Sequence, residues 1–311
     1  MPNELTPTVS ARERPGPSRK SGAIAAGLAR SARPRQWVKN VLVVAAPAAA
    51  GVLVQPGPLV TVAVAFLAFC LVSSGTYLLN DARDVEADRR HPTKRERPVA
   101  AGVVPVGVAV GAGISLLAAG FLVALLVGTG FLAVVAGYVA LTTSYTLWLK
   151  HVAVLDLAVV AGGFFIRAIA GGVATGVPFS RWFLIVAAFG SLFMVAGKRH
   201  GEHLDLGPDG AEVRATLGLY SREYLRFVWT MSSAVTITAY CLWAFEQSGG
   251  PGPPWFELSI VPFVLFVLRY ALLLGNGRGS EPEELVLRDR GLQLSALAWL
   301  LAYGTGVYLS V

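Results

Sequence analysis

The chain has 311 residues, of which 54% are hydrophobic and 14% are charged, and its formal net charge at pH 7 is +7. A soluble domain of this size carries roughly a quarter charged residues, so the charges here are too few to cover a surface in contact with water. The composition excludes an ordinary soluble protein, and we expect membrane lipid, not nucleic acid, to surround the chain.

Residues 1–30 are rich in Arg, Pro, Ser and Ala and lack the apolar core and cleavage site of a signal peptide. We predict a disordered basic cytoplasmic tail here, followed by one transmembrane domain over residues 31–311. The segment 22–37, at the end of this tail, has the composition of a short basic helix that lies at the membrane surface.

Apolar runs long enough to cross a bilayer recur along the rest of the chain. A helix needs about 20 residues to do so, because it must cross ~30 Å of hydrocarbon at ~1.5 Å per residue. We therefore predict an all-α fold, a polytopic integral membrane bundle of about nine transmembrane helices. The approximate spans are residues 38–54, 59–80, 101–123, 126–148, 152–175, 181–197, 225–246, 255–274 and 292–310.

The basic residues are distributed asymmetrically. Of the 26 Lys and Arg residues, 24 lie in the N-terminal tail or in alternate loops, which fall on one side of the membrane if the spans are as predicted. The exceptions are Arg181, which borders a loop on the other side, and Arg167, which lies within a span. Because loops rich in Lys and Arg stay in the cytoplasm, we expect a cell-membrane protein whose N-terminus and active-site loops are cytoplasmic.

The most informative motif follows the second predicted span, where Asn80, Asp81, Asp84 and Asp88 have the spacing N-D-x-x-D-x-x-x-D. On a helix, steps of three and four residues place the three carboxylates on one face, where they repel each other unless a cation lies among them. Carboxylate oxygens and substrate phosphates are the ligands that Mg²⁺ prefers. The spacing therefore predicts a Mg²⁺ site for a diphosphate, with the three aspartates as metal ligands and catalytic residues.

A run of basic residues follows the aspartates. Guanidinium and ammonium groups suit phosphate oxygens, and Arg95 is our candidate for substrate binding in this run. The alternative is an ordinary cytoplasmic loop, in which the positive charge reports only topology. The run comprises Arg89, Arg90, Lys94, Arg95 and Arg97 around His91.

Residues 80–102 resemble the first aspartate-rich motif of the UbiA superfamily of intramembrane prenyltransferases, and the resemblance extends from about residue 30 to the end of the chain. It implies a bundle of about nine helices that holds an isoprenoid substrate in a cavity open to lipid. It also implies that Asn80, with the three aspartates, binds Mg²⁺ and the diphosphate of the donor.

The loop after the sixth predicted span departs from most members of this superfamily. Those enzymes carry a second aspartate motif there, commonly D-x-x-x-D, whereas this chain has GKRHGEHLD at 197–205. Lys198 and Arg199 stand where acids are expected, and Glu202 follows them. Exchange of acid for base favours a bare phosphate over a metal-bridged diphosphate as the ligand.

This loop and RPRQWVKN at 33–40 resemble one branch of the superfamily, the decaprenyl-phosphate phosphoribosyltransferases of actinobacteria. The resemblance implies transfer of 5-phosphoribose from 5-phosphoribosyl 1-diphosphate to a polyprenyl (decaprenyl) phosphate, with release of diphosphate, in arabinan biosynthesis for the cell wall. The substrate-binding residues implied in these two segments are Lys39, Lys198, Arg199 and Glu202.

Arg167 lies in the middle of the fifth predicted span, within AGGFFIRAIAGG at 161–172. An ionisable residue inside a membrane is costly and indicates function by default, so Arg167 is a further candidate for substrate binding. A structural pairing with a polar group of another helix is the alternative. Asp156, eleven residues earlier and ~16 Å away along a helix, lies on nearly the same face and can border the same cavity.

Two other functions stay open. One is transfer of a prenyl group from its diphosphate to an aromatic or quinone-precursor acceptor, which a second aspartate motif would have favoured. The other is transport, but transporters place ionisable residues near the middle of the membrane, whereas the acids here cluster at its predicted cytoplasmic edge. A homo-oligomer is compatible with the sequence.

Overall fold

The computed structural model describes residues 17–206, 215–247, 253–277 and 282–309. Within these ranges the chain is helical and contains no strand, which confirms the predicted all-α class. We number the α-helices in chain order as α1 (Pro17–Ser31), α2 (Ala45–Ala49), α3 (Pro56–Arg83), α4 (Val85–Arg90), α5 (Val106–Val127), α6 (Thr129–Leu147), α7 (Leu155–Thr175), α8 (Arg181–Leu206), α9 (Arg222–Gln247), α10 (Trp255–Gly275), α11 (Pro282–Arg288) and α12 (Arg290–Leu309).

Seven of the described helices, α3 and α5 to α10, are long and apolar enough to cross a membrane. Helix α12 has 20 residues and packs against α10. These helices confirm a polytopic membrane bundle and make the predicted number of nine spans approximate. Among the seven, α3 and α7 are the most buried, so these two helices form the centre of the bundle.

The first predicted span, residues 38–54, is not one continuous helix. A 3₁₀ helix covers Pro34–Val44, the five-residue α2 follows, and a 3₁₀ turn covers Val52–Val54. Pro47 removes a backbone donor inside α2, and Gly51, with a φ of +72°, turns the chain through the left-handed region. We call Pro34–Val44 the entry segment, and it packs against α3 and α7.

Part of the predicted disordered tail is a helix. Helix α1 begins at Pro17, earlier than the surface helix predicted over residues 22–37. A Cβ atom on Gly27 would lie 2.6 Å from a Val104 methyl carbon, so α1 rests directly on the loop between α4 and α5. This packing orders a stretch that a free tail would leave unstructured. Residues 1–16 lie outside the described ranges, and the boundary between tail and domain stays a prediction.

Consecutive long helices alternate in direction. The C-terminal ends of α3, α6 and α8 therefore meet the N-terminal ends of α5, α7 and α9 at one face of the bundle. Helix α7 touches α3, α6, α8, α2 and the entry segment. Apart from Arg167 and Lys39, the candidate residues lie on the parts of the helices and loops that meet at this face, and α7 connects the elements that carry them.

Candidate active site

The aspartate motif lies where α3 gives way to α4. Helix α3 ends at Arg83, Asp84 has φ −90° and ψ 11°, and α4 begins at Val85. The spacing alone predicted one continuous helix through the motif. In the structure the helix is interrupted at Asp84, the middle aspartate. Asp81 and Asp88 are 2% and 4% exposed, whereas Asp84 is partly exposed at the junction.

Two arginines neutralise the buried aspartates. The Nη1 atom of Arg97 lies 2.7 Å from Asp88 Oδ2 and 3.3 Å from Asp81 Oδ1. The Nη2 atom of Arg33 donates to the same Asp81 oxygen over 2.6 Å. Unpaired carboxylates in this position would be costly, because burial removes the water that stabilises their charge. The ion pairs with Arg33 and Arg97 therefore offset part of the cost of burying the two carboxylates.

The Asp81–Asp88 pair has the donor chemistry of a Mg²⁺ site. Both carboxylates face one guanidinium nitrogen, so a positive charge already stands between them. In the part of the chain that the structure describes, no three acidic, histidine or cysteine side chains form a ready metal cluster, and Asp84 makes no ion pair. The residues fit Mg²⁺ as hard oxygen donors, and phosphate and water oxygens would complete its coordination.

An uncommon backbone geometry places Arg33 at the motif. Its φ is +53°, in the left-handed region that residues other than glycine rarely adopt. The Ser74 hydroxyl of α3 anchors the chain on both sides, since it donates to the Ala32 carbonyl over 2.9 Å and accepts from the Trp37 indole N–H over 3.1 Å. The guanidinium also lies 4.7 Å from the centre of the Tyr77 ring, within cation–π range.

Asn80 faces a different neighbourhood from the two paired aspartates. It lines a cavity of about 150 Å³ between α3, α5 and α6. Sites for small molecules usually measure ~300–1000 Å³, so this cavity has room for water or for part of a substrate only. Its polar lining consists of Asn80, Arg83, Thr76, Thr143 and Thr146.

A second buried polar cluster joins the start of α7 to the end of α8. Asp156, fully buried in the first turn of α7, accepts hydrogen bonds from Tyr220 and, over 3.2 Å, from Thr216. Arg199 of α8 is 3% exposed and lies 3.4 Å from Asp156 and 3.0 Å from Glu202. Asp156 lies in the first turn of α7, which is the favourable end of a helix for a negative charge, whereas Arg199 lies about two turns before the end of α8.

Tyr220 also braces a strained residue. Val154 has a φ of +70°, which is costly for a β-branched side chain, and its backbone N–H donates to the Tyr220 hydroxyl over 2.6 Å. Burial, and then the hydrogen bond to Asp156, raise the pKa of Tyr220 above its ordinary value. The phenol therefore keeps its proton and continues to donate to Asp156, so the cluster is a rigid support at this end of α7.

Arg167 lies in the interior of the bundle and is 6% exposed. It donates to Asn40 Oδ1 over 2.8 Å, to the Gly163 carbonyl over 2.9 Å and to the Tyr138 hydroxyl over 2.6 Å. Its guanidinium also lies 4.5 Å from the centre of the Tyr138 ring. These partners are uncharged groups of α6, α7 and the entry segment, so they favour the structural interpretation of Arg167. Its role in substrate binding stays a prediction.

The remaining basic candidates lie on three different elements. The Nζ atom of Lys39, in the entry segment, lies 5.9 Å from the centre of the Phe164 ring of α7. Lys198 of α8 is partly exposed, and Arg95, in the loop after α4, is exposed. The structure thus brings Arg199 and Glu202 together around Asp156 but joins neither to the aspartate motif by a direct contact in the described ranges.

Several residues of the two clusters had no separate signal in the sequence. Arg33 belonged to a segment of family resemblance and Arg97 to a basic run, but neither was singled out, and Thr216 and Tyr220 matched no motif. Arg33 reaches Asp81 across 48 positions, and Tyr220 reaches Asp156 across 64. No local pattern encodes such pairs. The need to neutralise buried acids was the one signal that could have singled out arginines near the motif.

Comparison with known proteins supports this architecture. The family model described as the UbiA prenyltransferase family matches residues 41–305. A decaprenyl-phosphate phosphoribosyltransferase of Corynebacterium glutamicum is 47% identical over 298 residues, which cover 92% of this chain and 88% of that protein. A protein of the same name from Mycobacterium tuberculosis is 48% identical over 292 residues, which cover 91% of this chain and 95% of that protein.

Solved structures share the fold at much lower identity. A UbiA homolog from Archaeoglobus fulgidus bound to GPP and Mg²⁺ superimposes with a TM-score of 0.67 at 17% identity, covering 92% of this chain and 100% of that one. A digeranylgeranylglyceryl phosphate synthase gives a TM-score of 0.65 at 16% identity, covering 93% of this chain and 99% of that one. The family model, the named relatives and the solved structures each match most of this chain, so the chain belongs to the UbiA prenyltransferase family.

Proposed function

We propose that this protein transfers 5-phosphoribose from 5-phosphoribosyl 1-diphosphate to a polyprenyl phosphate, with decaprenyl phosphate as the expected acceptor, and releases diphosphate. The observation that carries the proposal is 44–48% identity, over more than 90% of this chain, to decaprenyl-phosphate phosphoribosyltransferases from three genera. The Lys198–Arg199 pair, where other superfamily members carry acids, supports a phosphate-bearing acceptor.

On the donor side, Asp81, Asp84 and Asp88 would hold Mg²⁺. Bound there, the ion would stabilise negative charge on the diphosphate and make it a better leaving group. The aspartates lie at the membrane-edge end of α3, next to the exposed basic loop that contains Arg95. A water-soluble donor can reach this end of the bundle without crossing lipid.

The reaction exchanges one bond at C1 of the ribose. The bond from C1 to the diphosphate oxygen breaks, and the electron pair leaves with the diphosphate. An oxygen of the lipid phosphate forms the new bond to C1 from the opposite face. A phosphate monoester is already ionised at neutral pH, so the protein needs no strong general base, and its residues act by positioning and by electrostatic stabilisation.

The basic residues around the motif would hold the remaining phosphates. Lys39, Lys198 and Arg95 supply positive charge from three elements, and one of these phosphates belongs to the lipid and another to the ribose 5-position. Arg199, held by Asp156 and Glu202, would fix the end of α8 that presents Lys198. The cluster around Asp156 therefore supports the site without touching the reacting atoms.

We place the reaction at the cytoplasmic side of the cell membrane. The 24 basic residues assigned to one side, and the position of the aspartate motif at that same side, support this orientation. Arg181, the basic residue that we assign to the opposite side of the membrane, forms an ion pair of 2.7 Å with Glu246.

The test is an assay of purified full-length protein with ribose-labelled 5-phosphoribosyl 1-diphosphate and decaprenyl phosphate. We expect labelled lipid and an equal amount of diphosphate, and neither without lipid phosphate or in excess chelator. A parallel reaction supplies a labelled prenyl diphosphate and an aromatic acid. Prenylated acid, with no label in the lipid of the first reaction, would show that the protein is a prenyltransferase of the more common type.

A further inference from the structure

The charges on Asp81 and Asp88 are already balanced by two arginines before any metal arrives. Asp81 Oδ1 accepts from Arg33 at 2.6 Å and from Arg97 at 3.3 Å, and Asp88 Oδ2 accepts from Arg97 at 2.7 Å. Two carboxylates and two guanidinium groups thus form a neutral set. A divalent cation on the same oxygens would lie against both arginines and be repelled by them. It can bind there only if the arginines move away.

The arginines are the partners able to move. The side chains of Arg33 and Arg97 are 30% and 32% exposed, whereas those of Asp81 and Asp88 are 2% and 6% exposed. The carboxylates stand on short side chains fixed to packed helices, while each guanidinium ends a long side chain at the open edge of the motif. A displaced arginine therefore moves toward the side from which a phosphorylated substrate must arrive.

We propose that Arg33 and Arg97 are internal counter-ions that oppose binding of a divalent cation to Asp81 and Asp88 until a diphosphate arrives, and that they then bind its phosphate oxygens. This deepens the proposed function and takes from it only that the ligand is a metal-bound diphosphate. The diphosphate supplies the negative charge that the released arginines need, and a planar guanidinium matches two phosphate oxygens at once. Metal and diphosphate are therefore bound together far better than either alone, which makes the site selective for donors with a diphosphate.

The test measures binding and not turnover. Purified full-length protein in detergent is titrated with Mn²⁺, a paramagnetic substitute for Mg²⁺, with and without inorganic diphosphate, and the free ion is followed by electron paramagnetic resonance. In Arg33→Met and Arg97→Met, we expect Mn²⁺ alone to bind on the order of tenfold more tightly, because a competing positive charge is gone. In the same variants, diphosphate at saturating Mn²⁺ should bind on the order of tenfold more weakly, because one charge-assisted contact is lost.

Opposite shifts of the two affinities distinguish a counter-ion from a residue that only maintains the fold, whose loss weakens both. Arg97→Lys keeps the charge, so its Mn²⁺ affinity should stay near that of the wild type, which provides a readout if a methionine variant unfolds. Arg288→Met, which removes an exposed charge from the C-terminal end of α11, should change neither affinity. Unchanged or weaker Mn²⁺ binding in the folded Met variants would overturn the proposal. Opposite shifts in a protein that transfers no phosphoribose would instead keep this inference and refute the proposed reaction.

Discussion

The Arg167 guanidinium donates a hydrogen bond of 2.8 Å to the side-chain oxygen of Asn40, although 127 positions separate the two residues in the chain. Asn40 belongs to the entry segment, which also carries Lys39 and follows directly on Arg33. The bond fastens this segment to α7, the helix that connects both polar clusters. A residue in the interior of the bundle therefore helps to determine where Arg33 and Lys39 lie.

We expect Arg167→Met to destabilise the fold by about 2–3 kcal/mol, because Asn40, Tyr138 and the Gly163 carbonyl each lose a buried donor. Thermal unfolding of the purified protein measures the loss. Tyr138→Phe, which removes one of the three bonds, should cost about 1 kcal/mol. If Arg167→Met unfolds like the wild type but has a higher KM for either substrate, Arg167 binds substrate as the sequence predicted.

Because α7 contacts the entry segment closely, alanine substitutions at two glycines should have very different effects on stability. A Cβ atom on Gly171 would lie 1.7 Å from the Val43 carbonyl oxygen, a backbone atom that cannot turn aside. We expect Gly171→Ala to cost about 3 kcal/mol or more and to reduce the yield of folded protein. Gly111 of α5 has nothing within 4 Å of its added Cβ, so Gly111→Ala should stay within about 1 kcal/mol of the wild type. Equal stability of the two variants would contradict the close approach.

Asp→Asn variants within the motif should differ in the stability of the folded protein, although all three aspartates are predicted to be essential for activity. Asp81→Asn leaves Arg33 and Arg97 without their shared acceptor charge, and we expect a loss of about 2 kcal/mol in the free energy of unfolding. Asp84→Asn breaks no described ion pair and should unfold like the wild type. Both should reduce phosphoribosyl transfer on the order of 100-fold, by loss of charge stabilisation at the diphosphate. Near-normal turnover of Asp84→Asn would remove Asp84 from the predicted metal ligands.

Lys198 and Arg199 are adjacent but should respond differently to truncation. Arg199 is buried between Asp156 and Glu202, so Arg199→Ala removes a buried positive charge from beside two acids and should destabilise the protein by about 3 kcal/mol. Lys198 is partly exposed. Lys198→Ala should retain stability and lose roughly tenfold or more in kcat/KM if it contacts a phosphate. Kinetics that vary donor and acceptor separately assign the contact, and wild-type kinetics for both would leave Lys198 as a topology signal only.

One surface ion pair predicts a pH dependence of stability. Asp289, just before α12, accepts from Arg269 and from the Leu292 N–H, and these hydrogen bonds lower its pKa from 3.8 to about 2. Because the Asp289 pKa is lower in the folded protein than in the unfolded chain, the ionised carboxylate stabilises the fold at pH values above about 4. This stabilisation is lost as the pH falls from about 4 to about 2. The thermal midpoint of the wild type should therefore decline over this interval more steeply than that of Asp289→Asn. Parallel declines would show that the pair has no influence on folding.

The fold class followed from the sequence because the bilayer restricts the choices so strongly. Runs of about 20 apolar residues have few conformations in hydrocarbon other than a helix, since every backbone polar group must be paired within the segment. The predicted span 59–80 thus falls inside α3, and 255–274 almost coincides with α10. The prediction was weakest at 38–54, where length and hydrophobicity indicated a helix but Pro47 and Gly51 divide the segment into short pieces.

For the candidate site too, some features could be predicted from the sequence and others depended on the tertiary structure. The sequence by itself predicted which acids could share a cation, because the spacing of Asp81, Asp84 and Asp88 is read directly from the chain. Only the tertiary structure decided that Arg33 and Arg97 pair with Asp81 and Asp88. The same is true of the bonds from Tyr220 and Arg199 to Asp156 and of the uncharged partners of Arg167. Each of these pairings depends on which helices pack together. A buried charge takes whichever partner the packing brings within reach, and its own neighbours in the chain do not specify that partner.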